Sequence, residues 1–306
     1  MRSKTFLACL LLISIFSTAQ EKTEEAASDS VKAWSINAQN SFMINQSSFS
    51  NWVGGGANNV GWLAGVNYNL TYDKDKDLWE NIIILGFGQN KTQGIGVRKT
   101  QDVINLSTNY GREISDKWYV SAGAGFISQF KPGYEDGNNP EAKKISDFMA
   151  PGYLSVGTGF TYKPNDNLMI TLRPANARWT FVLDKELQYA GSYGLKEDGD
   201  TSLFQFGFLG TIYYKLNIME NITLTNNTSV FSNYLDQPSR LVLSYGGILK
   251  MKINKFISTN VTLDLLYDHN QIQKTQIKQT LGVGLAYHFE KGKKPSGKKI
   301  SQAWRK

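Results

Sequence analysis

The sequence is poor in the residues on which most catalytic and metal centres depend. It contains one cysteine, Cys9, and two histidines among 306 residues. Because Cys9 lies in the N-terminal segment, the rest of the chain has no thiol for disulfides, thiol catalysis or cysteine-ligated metals. No cluster of carboxylates accompanies the histidines, so we predict no metal site and no cofactor.

Charge and long hydrophobic runs are also scarce. Charged residues make up 19% of the chain, against about 25% in a typical soluble domain. After the first twenty residues, no run approaches the roughly 18 consecutive apolar residues of a membrane-spanning helix, which excludes a helical membrane protein. The chain is instead rich in glycine, with 28 residues, and in aromatic residues, at 12%. Aromatic enrichment is typical of β-structure.

The N-terminus has the pattern of a secretory signal peptide. Arg2 and Lys4 precede a short apolar run at residues 6–16, and small residues that a signal peptidase recognises follow it. This order of basic, apolar and small residues is that of an exported precursor. We therefore predict a signal peptide at residues 1–19, followed by a short periplasmic N-terminal segment at residues 20–32.

The positive net charge is confined to the two ends of the chain. Of the formal net charge of +7, the signal peptide carries +2 and residues 290–306 carry +6, which leaves −1 for residues 20–289. A neutral body provides no basic face for nucleic acid. We interpret residues 290–306 as a basic periplasmic tail. It is either a solvated tail or a segment that binds anionic lipid headgroups, cell-wall polymer or an acidic envelope protein.

Apolar and polar residues alternate with a period of two from residue 33 onward. This period predicts strands with one apolar and one polar face. The alternation is clearest in the last segment, where Leu281, Val283 and Leu285 alternate with Gly282 and Gly284. Twelve such segments begin near Ala33, Val60, Trp79, Asp102, Trp118, Tyr153, Leu168, Ser202, Asn221, Leu241, Phe256 and Ile277.

The connections between these segments are sorted by length. We predict compact polar turns at residues 73–77, 112–117, 163–167, 217–220 and 254–255, and longer loops at 45–59, 89–99, 131–152 and 174–200. Short turns at one end and long loops at the other are typical of an outer-membrane barrel, whereas a soluble β-sandwich has no reason to sort its loops. We predict an all-β fold at residues 33–289, a transmembrane antiparallel up-and-down β-barrel of about twelve strands.

Aromatic residues collect beside the predicted short turns. Aromatic side chains favour the boundary between hydrocarbon and water. A soluble sheet would use them as ordinary core residues, without grouping them at one end. We predict a periplasmic aromatic girdle formed by Tyr72, Trp79, Tyr110, Trp118, Tyr162, Tyr214 and Tyr287.

Two segments carry a resemblance to known proteins. Residues 280–289 resemble the C-terminal β-signal of outer-membrane proteins, with Gly282, Leu285, Tyr287 and Phe289 at its characteristic positions. Residues 46–59, with their Ser, Trp, Gly and Asn, resemble the start of a Bacteroidota outer-membrane β-barrel family that has no assigned function. The resemblance implies the cell outer membrane of a Gram-negative envelope, with membrane lipid and the barrel-assembly machinery as partners.

The polar parity of the strands supplies the candidate site. Its glycines leave room either for bulky neighbours to cross the lumen or for an open lumen. Its polar side chains either line a weakly selective passage or hydrogen-bond to one another in a plugged barrel. The lumen-facing candidates are Asn37, Gln39, Asn67, Asn69, Asn105, Asn109, Arg173, Lys215 and Lys278.

Three functions fit this sequence, and the first is our prediction. A twelve-stranded barrel is intermediate between filled and porin-sized barrels, so it suits a narrow passive channel or small-solute transport barrel. The second is a structural or accessory subunit that docks partners through its loops and basic tail. The third is a lipid-modifying enzyme using Asp268 and His269, but no serine motif accompanies them. We therefore predict that the protein is not an enzyme and has no catalytic residues.

Overall fold

The computed structural model describes most of the chain. It covers residues 33–48, 57–135, 142–196, 199–254, 257–269 and 272–291. The predicted signal peptide, the segment at residues 20–32 and the tail beyond Lys291 lie outside these ranges. Most of the glycine-rich segment at residues 46–59 does as well.

Fourteen strands, one short α-helix and one 3-10 helix (Ser192–Gly194) are the regular elements of the described chain. Twelve strands form the barrel: β1 (Trp34–Ser47), β2 (Asn59–Lys74), β3 (Asp77–Thr92), β4 (Gly96–Ser115), β5 (Trp118–Ser128), β8 (Gly152–Asn165), β9 (Leu168–Phe181), β10 (Ser202–Met219), β11 (Ile222–Asn233), β12 (Val242–Lys252), β13 (Ile257–Asp268) and β14 (Ile272–Lys291). Two short strands, β6 (Gly133–Tyr134) and β7 (Lys144–Ser146), and helix α1 (Lys185–Tyr189) lie in the loops.

The twelve long strands form a closed antiparallel barrel. Each pairs with its neighbours along the chain, and β1 pairs with β14 to close the sheet. The prediction of a twelve-stranded up-and-down barrel is therefore confirmed. Closure leaves no sheet edge with unpaired backbone groups. Within the described ranges, no helix has the length and apolarity to cross a membrane.

The two ends of the barrel differ in their connections. At one end, here called the turn end, only residues 75–76, 116–117, 166–167, 220–221 and 253–256 separate successive strands. Asp75 and Lys117 adopt positive φ angles of 56° and 67° in two of these turns, as tight hairpin turns require. The opposite end, here called the loop end, carries the longer connections.

Several strands run further than the sequence indicated. β3 and β4 extend to Thr92 and from Gly96, so most of the loop predicted at residues 89–99 is paired strand. β14 begins at Ile272 and reaches Lys291, two residues into the predicted tail. Pairing with a neighbouring strand satisfies backbone groups along the whole length of a segment, including parts with weak alternation.

β9 continues through Pro174, where we had placed a loop. The register of β9 shifts at this proline against both neighbouring strands. The shift lies between Leu172 and Ala175 against β8, and between Arg173 and Asn176 against β10. A bulge of this kind needs no hydrogen bond from the proline nitrogen. The strand therefore carries its pairing past the proline to Phe181.

The apolar face of the barrel points outward. Ile277 and Leu281 are 70% and 71% exposed. Residues of the opposite parity face the interior, and among them Lys278 contacts Gln101 on the distant strand β4. This is the reverse of a water-soluble barrel, whose apolar residues fill the inside.

The described parts of two long loops fold together at the loop end into a structure here called the cap, formed by residues 129–135, 142–151, 182–196 and 199–201. Its small core consists of the buried residues Ala150, Val182, Leu187 and Leu195, with Leu203 of β10 packed against it. The Gln129 amide nitrogen donates to the Ala150 carbonyl at 3.0 Å. The cap is therefore a packed element that rests on the rim of the barrel.

Candidate functional site

Ion pairs join strands that are not neighbours in the sheet. Lys163 Nζ of β8 lies 2.7 Å from Glu80 Oε1 of β3, although β4 and β5 separate these strands. Arg178 Nη2 of β9 lies 3.9 Å from Asp268 Oδ2 of β13. Contacts of this kind must cross the space inside the barrel, here called the lumen. They show which parity of each strand faces inward.

Two further polar contacts cross the lumen. Lys250 Nζ of β12 donates to Gln39 Oε1 of β1 at 2.5 Å. Lys278 of β14 donates to Gln101 of β4. Of the residues we predicted to face the lumen, Gln39 and Lys278 thus contact residues on strands that are not their neighbours in the sheet.

One side of the lumen is closed by a hydrogen-bond network, here called the packed wall, on β4, β5, β8 and β9. Arg173 Nη2 donates to Asn109 Oδ1 at 3.0 Å, and the Asn109 amide lies 3.4 Å from Thr161 Oγ1. Thr161 Oγ1 donates to Ser121 Oγ at 2.9 Å and lies 3.1 Å from Thr171 Oγ1. Thr161 is 0% exposed, so its side chain is enclosed by its neighbours on this side of the lumen.

Glycines make room for the large inner side chains. A Cβ atom at Gly123 would meet the Arg173 guanidinium and would lie 2.6 Å from the Thr108 carbonyl oxygen. On the other side of the lumen, Met43 lies against Gly282 and Gly284. At these positions, glycine serves close packing between neighbouring strands.

The opposite side of the lumen stays accessible. Asn67, Asn227, Asp264 and Lys278 face inward near the middle of their strands, and their side chains are exposed. Asn37 is also exposed, closer to the turn end. These five residues, here called the accessible wall, lie on β1, β2, β11, β13 and β14. One half of the lumen is therefore lined by buried side chains and the other half by exposed ones.

The remaining predicted lumen residues take local roles. Asn69 accepts a hydrogen bond from Thr71 Oγ1 at 3.1 Å. Asn105 stands between Ile84 and Ile127 in the register of the neighbouring strands. Lys215 is half-buried opposite Thr225. Five of the nine predicted residues thus belong to the two walls, Asn37, Asn67 and Lys278 to the accessible wall and Asn109 and Arg173 to the packed wall, and the nine do not form one cluster.

The predicted girdle residues lie on the outer face near the turn end, where Trp118 contacts Tyr162, and Tyr72 and Trp79 contact Trp34, which we did not predict. The ring centroids of Trp34 and Tyr72 lie 5.3 Å apart, and those of Trp118 and Tyr162 lie 4.8 Å apart. Trp79 is 5.7 Å from Trp34. The other predicted members stand without a ring neighbour among the described aromatic contacts, and they are exposed: Tyr110 by 43%, Tyr214 by 42% and Tyr287 by 61%.

The predicted β-signal residues lie at the closing seam of the barrel. Leu285 and Phe289 pair with Phe42 and Ala38 of β1 and are 60% and 45% exposed on the outer face. Tyr287 pairs with Asn40. The last strand therefore closes the sheet and presents a row of apolar side chains on the outer face.

A second group of aromatic residues, which we did not predict, lies on the outer face near the loop end. Trp62 stacks near Phe42 and Phe87, with centroids 6.4 Å and 5.7 Å away. Trp179 and Phe204 form a similar pair at 5.1 Å. Aromatic spacing next to the long loops was the signal available in the sequence. The barrel thus has aromatic groups at both ends of its outer face.

Two tyrosines on the outer face are hydrogen-bonded to neighbouring asparagines. The Tyr68 hydroxyl donates to Asn40 Oδ1 at 3.0 Å, and the Tyr245 hydroxyl donates to Asn226 Oδ1 at 2.7 Å. An amide with its oxygen satisfied is cheaper to hold in an apolar environment than a free one. Because the polar groups of these pairs bond to each other, the outer face presents fewer free polar groups than the sequence alone suggests.

Two residues of the lumen were hidden in predicted connections. We had assigned Lys163 to a turn and Arg178 to a loop, but both lie in paired strands and face inward. The Arg178 guanidinium stacks over the rings of Tyr153 and Phe231, at 5.1 Å and 5.4 Å from their centroids. The bulge at Pro174 is what brings Arg178 to the inner face.

The histidine considered for catalysis has neutral neighbours. His269 Nδ1 lies 3.4 Å from the Tyr267 hydroxyl, and its Nε2 lies 3.4 Å from the Gln273 amide. The carboxylate of Asp268 is near Arg178 instead. Among the described residues, no group of three or more His, Cys, Asp or Glu side chains is placed to hold a metal ion.

Comparison with known proteins finds a match to one family over part of the chain, and a set of similar solved structures. Residues 44–134 match the family described as a protein of unknown function (DUF3078). This match covers less than half of the chain. No curated protein is significantly similar to it.

The similar solved structures include bacterial outer-membrane proteins. An outer membrane channel from Pseudomonas putida F1 is 10% identical, with a TM-score of 0.39, and the match covers 89% of this chain and 100% of the channel. The translocator domain of autotransporter NalP from Neisseria meningitidis is 11% identical, with a TM-score of 0.36, over 93% and 95% of the two chains. The NanC porin is 10% identical, with a TM-score of 0.36, over 82% and 98%. These values are too low to transfer a function.

Proposed function

We propose that the protein is an outer-membrane barrel that conducts small polar solutes through the accessible half of its lumen. The observation that carries this proposal is the exposure of Asn67, Asn227 and Asp264 at the middle of a closed barrel. Side chains that face inward and are exposed border space that water and small solutes can enter. The packed wall restricts that space to one side, so the passage is narrow.

The outer surface supports placement in a membrane. Tyr72, in the turn-end aromatic group, and Trp62, in the loop-end group, are ten positions apart along β2. At a rise of about 3.3 Å per residue and a tilt of about 40°, the two groups are roughly 25 Å apart along the barrel axis. This matches the height of about 25 Å of the apolar band on outer-membrane barrels. Assignment to a Bacteroidota family and the β-signal role of residues 282–289 belong to the same proposal.

Cysteine scanning tests the passage directly. Since Cys9 is the only cysteine, protein made without residues 1–19 is free of thiols, and single cysteines can be placed at Asn67 or Asn227. In planar bilayers, we expect discrete current steps whose size falls when a negatively charged methanethiosulfonate reagent modifies either position. Ser121→Cys is the matched control, because this inward position lies in the packed wall and is 3% exposed.

The decisive preparations are those whose gel mobility shifts on heating, as a folded barrel requires. Silence from such a preparation would refute a passage through the lumen. Current steps that change equally in the Ser121→Cys and Asn67→Cys variants would refute its position along the accessible wall.

A second function, docking of another envelope protein, is favoured by the surface of the cap. Phe148, Leu183 and Tyr189 are 54%, 54% and 68% exposed on this element, and exposed apolar groups of this size often mark protein contacts. The basic tail would add a periplasmic contact. Cross-linking in native membranes should return a stoichiometric partner that is lost in the Phe148→Ser variant. Recovery of the protein without a partner would refute this function.

A further inference from the structure

The outer surface of the barrel has a cavity at the loop end. Its volume is about 160 Å³. It lies between β3, β4 and the part of the cap that directly follows β5. The residues that line it are Phe87, Gln89, Lys99, Lys131, Pro132 and Tyr134.

The strand register places this cavity outside the barrel. Phe87 pairs with Ala64 and contacts Trp62 of the loop-end aromatic group, at 5.7 Å between ring centroids. Gln89 has the same parity as Phe87, and it pairs with Lys99 of β4. Three of the lining side chains therefore point away from the lumen, at the height of the aromatic residues.

A buried carboxylate fixes the loop that covers the cavity. Asp102 of β4 accepts hydrogen bonds from the backbone nitrogens of Phe130 and Lys131, at 2.7 Å and 3.1 Å. Lys99 Nζ donates to Asp102 Oδ2 and to the Lys131 carbonyl, both at 2.8 Å. The cavity is therefore built by fixed contacts, and the loop beside it is held in one position.

The lining is rich in donors. An ammonium group has three donors, so Lys99 keeps one after its two contacts. Lys131 Nζ lies 5.5 Å from the centre of the Phe87 ring. Within the described part of the chain, the side chains of Gln89 and Tyr134 make no hydrogen bond. Two ammonium groups line the cavity beside the carboxylate of Asp102, so the described lining together with this neighbour carries a net positive charge.

We propose that this cavity binds the phosphate group of a membrane lipid. Phosphate is an anion with several acceptor oxygens, and it suits a converging set of ammonium, amide and hydroxyl donors. The loop-end aromatic residues mark the level at which lipid headgroups meet hydrocarbon. Phe87 and Pro132 provide an apolar surface for the part of the lipid next to its phosphate. The inference rests on the membrane placement proposed above, but not on conduction.

Native mass spectrometry of the full mature chain tests the proposal. The protein is refolded in a bilayer mixture of phosphatidic acid and phosphatidylcholine and then transferred into detergent. The detergent is removed from the protein in the mass spectrometer. We expect one phosphatidic acid molecule to remain bound, and Lys131→Gln to lower its retention at least fivefold. Lys131→Arg should keep most of it. Lys91→Gln is the matched control, because Lys91 is exposed on the outer face of β3 but does not line the cavity.

Each outcome decides the question. Equal losses in the Lys91→Gln and Lys131→Gln variants would mean general attraction between anionic lipid and the rim, which overturns a specific site. Full retention in Lys131→Gln would overturn it as well. Displacement of the lipid by millimolar inorganic phosphate would assign the cavity to a soluble anion. Failure to refold in any bilayer would instead contradict the membrane placement, so the two proposals fail in different ways.

Discussion

At the scale of single residues, the contact between Lys163 and Glu80 joins two distant strands inside the barrel. The two side chains are only 15% and 13% exposed, and their charged atoms are 2.7 Å apart. A largely buried ion pair stabilises little by itself, but removal of one partner leaves the other charge without compensation. Loss of one partner of a buried ion pair should therefore lower the stability of the barrel more than loss of one partner of an exposed pair.

We expect Glu80→Gln to lower the free energy of unfolding by about 3 kcal/mol, because Lys163 would keep a nearly buried charge. Urea titration of the refolded barrel, followed by tryptophan fluorescence, measures this change. The double variant Glu80→Gln/Lys163→Met should recover most of the loss. Arg112→Gln is the control, because the Arg112 side chain is 66% exposed in its pair with Asp77, and it should have a much smaller effect.

Two glycines on the inner face of β5 provide a second residue-scale prediction. A Cβ at Gly123 would lie 2.6 Å from the Thr108 carbonyl oxygen, whereas at Gly125 the nearest atom, the Leu106 carbonyl oxygen, is 3.9 Å away. We expect Gly123→Ala to destabilise the barrel by about 1–3 kcal/mol through overpacking. Gly125→Ala should be tolerated. Equal melting temperatures for the two variants would contradict this assignment.

At the scale of elements, the cap is held by charge as well as by its core. Lys144 Nζ lies 2.7 Å from Asp184 Oδ2, and Asp184 caps helix α1 by accepting from the Leu187 nitrogen at 3.1 Å. Burial would raise the pKa of Asp184, but the hydrogen bonds from Lys144 and Leu187 outweigh it, so the pKa falls below 3.8. The hydrogen bond to Asp184 raises the pKa of Lys144 above 10.5 despite partial burial.

These two shifts predict the pH range of cap stability. A lowered carboxyl pKa stabilises the fold above its unfolded value of 3.8, and this contribution is lost as the pH falls through the folded value. A raised lysine pKa stabilises below 10.5, and its contribution is lost as the pH rises through the folded value. We expect backbone amide protection in residues 185–190 to be constant between these limits and to decrease beyond each.

Hydrogen exchange in two variants separates the charge of Asp184 from its capping role. Asp184→Asn keeps a good helix cap but loses the ion pair, so its protection should no longer decrease at low pH. Asp184→Ala loses both and should be the less protected of the two. An unchanged acid transition in Asp184→Asn would show that another group controls the cap.

At the scale of the whole molecule, the charges of the accessible wall nearly balance. Asp264 and Lys278 face the lumen as a directly opposed pair on β13 and β14. Opposite charges this close leave little net field in the passage for either sign of ion. A conducting barrel should therefore be only weakly selective.

Reversal potentials in a potassium chloride gradient measure this balance. We expect Lys278→Gln to shift the preference toward cations and Asp264→Asn to shift it toward anions, with a small potential in the unmodified protein. Leu263→Gln, on the outer face beside Asp264, is the control and should leave the potential unchanged. Shifts of the same sign for the two charge variants would contradict a shared passage.

The sequence by itself determined the fold. Alternation with a period of two and the sorting of short turns from long loops were sufficient for a closed barrel of twelve strands, because both are local properties of the chain. The inward parity of Asn109, Arg173 and Lys278 follows from the same alternation. The sequence was less successful where pairing overrides local signals, as at Pro174, where a bulge carries β9 and Arg178 past the expected strand end.

Only the tertiary structure decided what the inner residues do. The contacts from Lys163 to Glu80 and from Arg173 to Asn109 join residues 83 and 64 positions apart in the chain, and no spacing rule relates strands that are not neighbours. Inner residues of similar polarity therefore lie either in the packed wall or in the accessible wall, depending on which distant strand they face. The cavity beside Lys131 arises in the same way, because it forms only where a loop folds back onto the finished sheet. These features depend on closure of the barrel, which brings distant strands to face one another.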